Sequence, residues 1–194
     1  MTDERLKRLI AFLKQIEKLK LVERRVKISS RTRWESSAEH SFDLALWTWI
    51  FSKDLPRALD LLRTIKLVLM HDLVEIYAGD TFIFDHVSRK TKKQREDTAA
   101  RKLFGQLPSD LKQEFEALWR EFEANKTKES KVARSMDRLQ PILQNIVSGG
   151  YSWKKHKITE AEIHQYKLDH MLHDEQILKI YKKLIRGAKQ AKLI

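Results

Sequence analysis

Two histidines and two aspartates, spread over three short fragments, could carry chemistry in this chain. His40 lies in Ala38-Glu39-His40-Ser41, His71 and Asp72 are adjacent, and Asp137 sits in Met136-Asp137-Arg138-Leu139. Two imidazoles and two carboxylates are a sufficient ligand set for one divalent metal. Their donors suit manganese, cobalt, iron, nickel or zinc more than magnesium alone. There is no cysteine, which excludes thiolate sites, disulfides and a cysteine nucleophile, so a metal here must use nitrogen and oxygen ligands. A metal that activates water needs firmly placed ligands and at least one open coordination position.

The neighbourhoods of these residues carry different weight. His40 shares a predicted helical face with Leu44 and Trp47 and points inward; taken alone it reads as a hydrogen-bonded core histidine. His71 and Asp72 follow the apolar run ending Val68-Leu69-Met70. Glu75 falls four residues after His71 and three after Asp72, on the same predicted face as both. Three ionisable groups on the apolar-leading side of one helix are costly unless something pairs them. A metal would do so and leave Glu75 free to orient or deprotonate a water. Asp137, among Val132, Met136, Leu139 and Leu143, is either an inward ligand or a surface partner of Arg134 or Arg138. Asp80 follows Gly79, which suits a tight turn; on its own it reads as a turn or cap residue.

The elements that must position these groups read as helices throughout. Leu6, Leu9, Ile10, Leu13, Ile16 and Leu19 follow the spacing of an amphipathic helix. Ser36-Ser37-Ala38-Glu39 is a capping box that starts a second, carrying Phe42, Leu44, Trp47, Ile50 and Phe51. Pro56 fits the start of a third, from Arg57 to His71. An irregular stretch from Thr81 to Ser88 precedes a charged helix from Arg89 to Phe104. Gly105 stops that helix, and Pro108-Ser109-Asp110 starts the next. Lys128 to Val147 is another, with Pro141 inside it, where a kink or local break is expected. Gly149-Gly150 ends it, Tyr151 to Lys157 reads as a loop, and two helices begin near Thr159 and Asp174. No strand run, repeat or linker stands out. The expected fold class is all-α, a compact single-domain helical bundle over residues 1–194. Its metal-site core lies at about 20–148, with C-terminal helices over 159–194 packed on it.

Composition narrows the partners. At 194 residues, with 42% hydrophobic and 34% charged residues, the chain can bury a substantial core without staples. The polar start and the broken apolar runs give neither a secretory signal nor a membrane span, so the expected location is cytoplasmic. The net charge of +12 would attract polyanions. Its lysines and arginines are scattered over most helices with no nucleic-acid-binding signature, which favours a solvated basic surface over a nucleic-acid partner.

The combination Ser36-Ser37-Ala38-Glu39-His40-Ser41, His71-Asp72-Leu73-Val74-Glu75-Ile76-Tyr77-Ala78-Gly79-Asp80 and Asp137 resembles the HD-domain metal-dependent phosphohydrolases. Within them it is similar to the branch of bacterial 5′-deoxynucleotidases and oxetanocin-like proteins. The resemblance implies an HD-type helical bundle with His40, His71, Asp72 and Asp137 as metal ligands and Glu75 and Asp80 as catalytic carboxylates. It further implies a small-molecule nucleotide substrate and no membrane, and it is compatible with a homodimer. The deoxynucleotidase pattern has an Arg-Trp pair before the first metal histidine, the arginine for phosphate and the tryptophan for the sugar. Here the region is Leu21-Val22-Glu23-Arg24-Arg25-Val26-Lys27, with no tryptophan, and a second pair, Arg33-Trp34, lies closer to His40. Arg24, Arg25 and Arg33 are therefore the expected phosphate contacts, with weak discrimination between ribose and deoxyribose. His164, His170 and His173 then read as surface histidines, and Trp47, Trp49, Trp119 and Trp153 as core or interface residues. Two other readings stand beside this one: an HD-type phosphodiesterase or guanosine-tetraphosphate hydrolase, and a non-catalytic binding module with a structural metal. The tetraphosphate enzymes carry a Glu-Asp doublet where this chain has Glu75-Ile76.

Overall fold

Apolar periodicity becomes packed helix over most of the chain. In the computed structural model, which describes residues 1–55 and 59–194, α1 spans Asp3–Ile16 and continues as a 3-10 turn, Glu17–Leu21. Then come β1 (Glu23–Lys27), β2 (Trp34–Ser36), α2 (Ser37–Phe51) and α3 (Leu61–Met70). A 3-10 turn, His71–Val74, leads into the single turn α4 (Glu75–Ala78). The rest is α5 (His86–Phe104), α6 (Ser109–Ala124), α7 (Lys128–Val147), α8 (Tyr151–His156), α9 (Glu160–Lys167) and α10 (Glu175–Gln190). Helix dominates, so the all-α class holds. The proposed helix start at Pro56 and Arg57 lies outside the described residues.

α7 is the central helix. Val132, Ala133, Met136, Leu139 and Ile142 are fully buried, and they pack it against α2, α3, α6 and α10. Fully burying one large apolar side chain contributes about 1.5–3 kcal/mol, so this row fixes α7 firmly. The polar residues along its flank are thereby held in register. α7 runs unbroken through Pro141, so no local break occurs there. The C-terminal elements join the same core through Ile163, Met171, Ile177, Tyr181 and Ile185.

Two segments differ from the sequence expectation. Residues 23–36 form a two-stranded antiparallel hairpin, pairing Glu23 with Ser36 and Lys27 with Trp34. Glu23-Arg24-Arg25-Val26-Lys27 is too polar to show a strand pattern; its pairing comes from β2 rather than from its own periodicity. Tyr151–His156, expected as a loop, is a helical turn between left-handed Gly150 and Lys157. Burial of Trp153 anchors it.

Candidate metal centre

Local chemistry aims each candidate ligand. The capping box at the start of α2 is present: Ser36 Oγ accepts from the Glu39 amide at 3.2 Å, and Glu39 Oε2 accepts from the Ser36 amide at 2.9 Å. It sets the first turn of α2 and with it His40, which is wholly buried. α3 ends at Met70, and His71 and Asp72 sit on the tighter 3-10 turn. His71 Nδ1–H donates to the Val68 carbonyl at 2.8 Å, competing for the oxygen that an α-helix would offer to the Asp72 amide. His71, Asp72 and Glu75 are therefore not on one regular α-helix, yet all three line the same cavity.

The four residues converge. One ligand atom each from His40, His71 and Asp72 lie within 4.8 Å of one another. Asp137 Oδ1 is 3.2 Å from His40 Nε2 and 3.7 Å from His71 Nε2. His71 Nε2 is buried without a hydrogen-bond partner, a group that a metal would satisfy. Both imidazoles are set to offer Nε2, because Nδ1 is engaged elsewhere. For His40 the partner is Gln140 Oε1, at 2.9 Å. The Gln140 amide nitrogen donates to Glu35 at 2.7 Å and Asp43 at 3.1 Å, and two carboxylates can only accept. The oxygen must then face His40, and Nδ1 must carry the proton. The residues present fit a divalent ion with nitrogen and oxygen ligands.

The electrostatics agree. Burial opposes a charge on His71, but Asp72 and Asp137 outweigh it and push its pKa up to about 10. Carboxylates that attract a proton so strongly also attract a metal cation, which competes with that proton. Burial works against the Asp72 carboxylate too, yet His71 and Arg24 hold its pKa well below the usual range. Burial, together with repulsion from Asp72 and Asp80, raises Glu75 well above an ordinary glutamate. Its Oε2 accepts a hydrogen bond from Ser37 Oγ at 2.7 Å. Asp80 is raised by burial and Asp72, against the pull of Arg24. Gly79 makes the preceding turn with φ +73°, a conformation suited to glycine.

The three expected arginines part company. Arg24, on β1, reaches the site, with Nη1 at 2.9 Å from Asp72 and 3.9 Å from Asp80, and Nε at 3.2 Å from Glu35. Arg25 lines the cavity as well. Arg33 does not: it is exposed, outside the cavity lining, and forms a two-pronged ion pair with Glu39 at 2.5 and 2.7 Å. That pair holds the Glu39 carboxyl down at about 2. Arg33 therefore lies apart from the cavity that Arg24 and Arg25 line, held by Glu39 at the outer end of α2.

Several residues escaped the sequence reading. The cavity, about 300 Å³, is also lined by Trp119 and Trp153, so these two are not solely core residues. Arg138 and Lys167 line it too. His164 and His170 are half-buried rather than surface groups, and His164 Nδ1 meets the Tyr181 hydroxyl at 2.6 Å. Glu35 and Gln140 had no local signal, because each meets its partner across about a hundred residues of chain.

Gln140→Leu is expected to lower metal affinity by roughly 10–100-fold, the usual cost of removing a group that orients a ligand histidine. Titration of the metal-free variant by calorimetry checks this. Unchanged affinity would mean that packing alone holds the imidazole.

Comparison with known proteins gives the family. The HD domain family profile matches residues 16–178. A crystal structure from Magnetospirillum magnetotacticum, described as a predicted metal-dependent phosphohydrolase, superposes with a TM-score of 0.92 at 34% identity, over 99% of this chain and 96% of that one. The human 5′-deoxynucleotidase HDDC2 is 31% identical over 137 residues, 71% of this chain and 63% of that protein. Its bovine counterpart is 32% identical over 152 residues, 74% of this chain and 69% of that one. The match thus spans less than two thirds of the human relative. A profile match over most of the sequence, with relatives of this identity over about seven tenths of the chain, makes this chain a member of the HD domain family.

Proposed function

We propose that the chain hydrolyses a phosphomonoester, a nucleoside or deoxynucleoside 5′-monophosphate, to nucleoside and phosphate. The observation that carries this reading is the buried cluster of His40, His71, Asp72 and Asp137, of which His71, Asp72 and Asp137 line the same cavity as Glu75 and Asp80. These four would hold the ion, and manganese, cobalt, iron, nickel or zinc matches their donors. A bound divalent ion would supply Lewis-acid polarisation of the phosphate and lower the pKa of a water. Glu75, with its raised pKa, accepts the proton of the attacking water. Arg24 keeps Asp72 and Glu35 in place, and Asp80 faces the substrate. Relatives named 5′-deoxynucleotidases support the nucleotide class. We place the enzyme in the cytoplasm, where nucleoside monophosphates are made and consumed.

Arg25 and Val26 line the cavity where the deoxynucleotidase pattern has its Arg-Trp pair. Val26 leaves room beside the sugar, and an apolar pocket rejects an added hydroxyl by only about a hundredfold. The test is steady-state kinetics of the manganese- and cobalt-loaded protein on adenosine 5′-monophosphate, its 2′-deoxy form and the 3′-monophosphates. Turnover of both 5′ substrates within that hundredfold range is expected. Absence of turnover on every phosphomonoester would sink the activity, and a deoxy preference above roughly a thousandfold would sink the sugar argument.

A further inference from the structure

One wall of the cavity carries two cations, Lys167 and Arg138, of which only Arg138 touches the metal cluster, through Asp137. Lys167, at the end of α9, is 4% exposed, and its ammonium donates to the Arg138 carbonyl at 2.8 Å. Among the described residues no carboxylate comes within 4.0 Å of it. Arg138 pairs through Nη1 with Asp137 Oδ2 at 3.0 Å, and its buried Nε has no hydrogen-bond partner. Arg134, one turn earlier on α7, is already engaged: its Nη2 donates to the Phe122 carbonyl at 2.8 Å and to Glu123 at 3.1 Å. These charges oppose one another. Burial, then Arg138 and Arg24, depress the Lys167 pKa to about 7. A buried ammonium with no counter-ion is unfavourable unless an anion meets it. Arg24 differs in degree: its Nε also lacks a hydrogen bond, but it faces two carboxylates, Asp72 at 2.9 Å and Glu35 at 3.2 Å, where Arg138 faces one and Lys167 none among the described residues.

We propose that Lys167 and Arg138 form the phosphate clamp of this site, taking phosphoryl oxygens of the substrate from the α7 side of the cavity. The ammonium supplies a compact charge, and the guanidinium supplies planar N–H donors next to the Asp137 ligand. Two cations beside a divalent ion suit a dianionic phosphomonoester better than a singly charged diester. The identity of the substrate rests on the phosphohydrolase reading; the clamp itself can be tested without turnover.

The experiment is calorimetric titration of inorganic phosphate, and of dimethyl phosphate, into the manganese-loaded protein, with bound manganese measured in parallel. The wild type should bind phosphate and prefer it to the diester. Lys167→Met should weaken phosphate binding about ten- to a hundredfold, the loss of one hydrogen bond to a charged group. Manganese content should stay the same, and Lys167→Arg should recover most of the affinity. Arg138→Gln carries the same expectation and decides the matter should Lys167→Met not fold. Wild-type affinity for phosphate in these variants, loss of manganese together with phosphate, equal binding of the diester, or no phosphate binding by the wild type would each overturn the clamp. Phosphate binding that depends on Lys167, without turnover of any monoester, would overturn the activity and leave the clamp standing.

Discussion

His71→Ala and Asp72→Ala should each abolish turnover and strip the protein of its metal. His71 Nε2 is buried without a hydrogen bond among the described residues, and the Asp72 carboxylate faces it at 2.9 Å. Removing a ligand should cost more than the roughly 10–100-fold in affinity lost with a supporting residue. Metal content by mass spectrometry, alongside turnover, checks this. Circular dichroism must show that the variant is folded, because the His71 ring also packs on Phe122 at 4.7 Å between centroids. Full activity of the wild type after exhaustive chelation, with no metal carried over, would sink the whole assignment.

Glu75→Gln should keep the metal and lose about a hundred- to ten-thousand-fold in turnover, the usual contribution of a general base. Glutamine retains the size of the side chain and can still accept the Ser37 hydrogen bond, so the packing stays and the basic carboxylate goes. The raised pKa of Glu75 follows from burial and from the charges of Asp72 and Asp80. It makes the carboxylate a better proton acceptor than an exposed glutamate. Metal content measured alongside kcat separates the two roles. If the ion is lost with the activity, Glu75 is a ligand; if kcat is unchanged, it is neither.

What the sequence made legible follows from the range of the interactions. α7, α9 and α10 were readable because their signals are local: Thr127, Thr159 and Asp174 each cap the helix that follows. The capping box before His40 was readable for the same reason. α5 begins at His86, three residues before the expected Arg89, because Asp85 caps the amides of Val87 and Ser88. β1 was hidden because a polar strand has meaning only once Glu35 and Trp34 lie opposite. Gln140 and Lys167 were hidden because each looks ordinary in its own helix; their roles arise where α7 meets α2 and α9. Arg33 shows the converse: close to His40 in sequence, it is drawn outward by Glu39.

The segment after Gly79 is tied down before any ligand arrives. Arg95 donates to the Ala78 carbonyl, to Thr81 Oγ1 at 2.8 Å and to the Ser88 carbonyl at 3.2 Å, while Arg89 holds the Ile83 carbonyl. These contacts span both ends of the stretch that carries Asp80, Phe82 and Phe84 into the cavity. Fixing a loop residue costs roughly 1–2 kcal/mol of conformational entropy. Here that cost falls on folding, so binding a small phosphorylated molecule need not order the stretch again. The interactions gained on binding can then go into holding the reacting atoms in line.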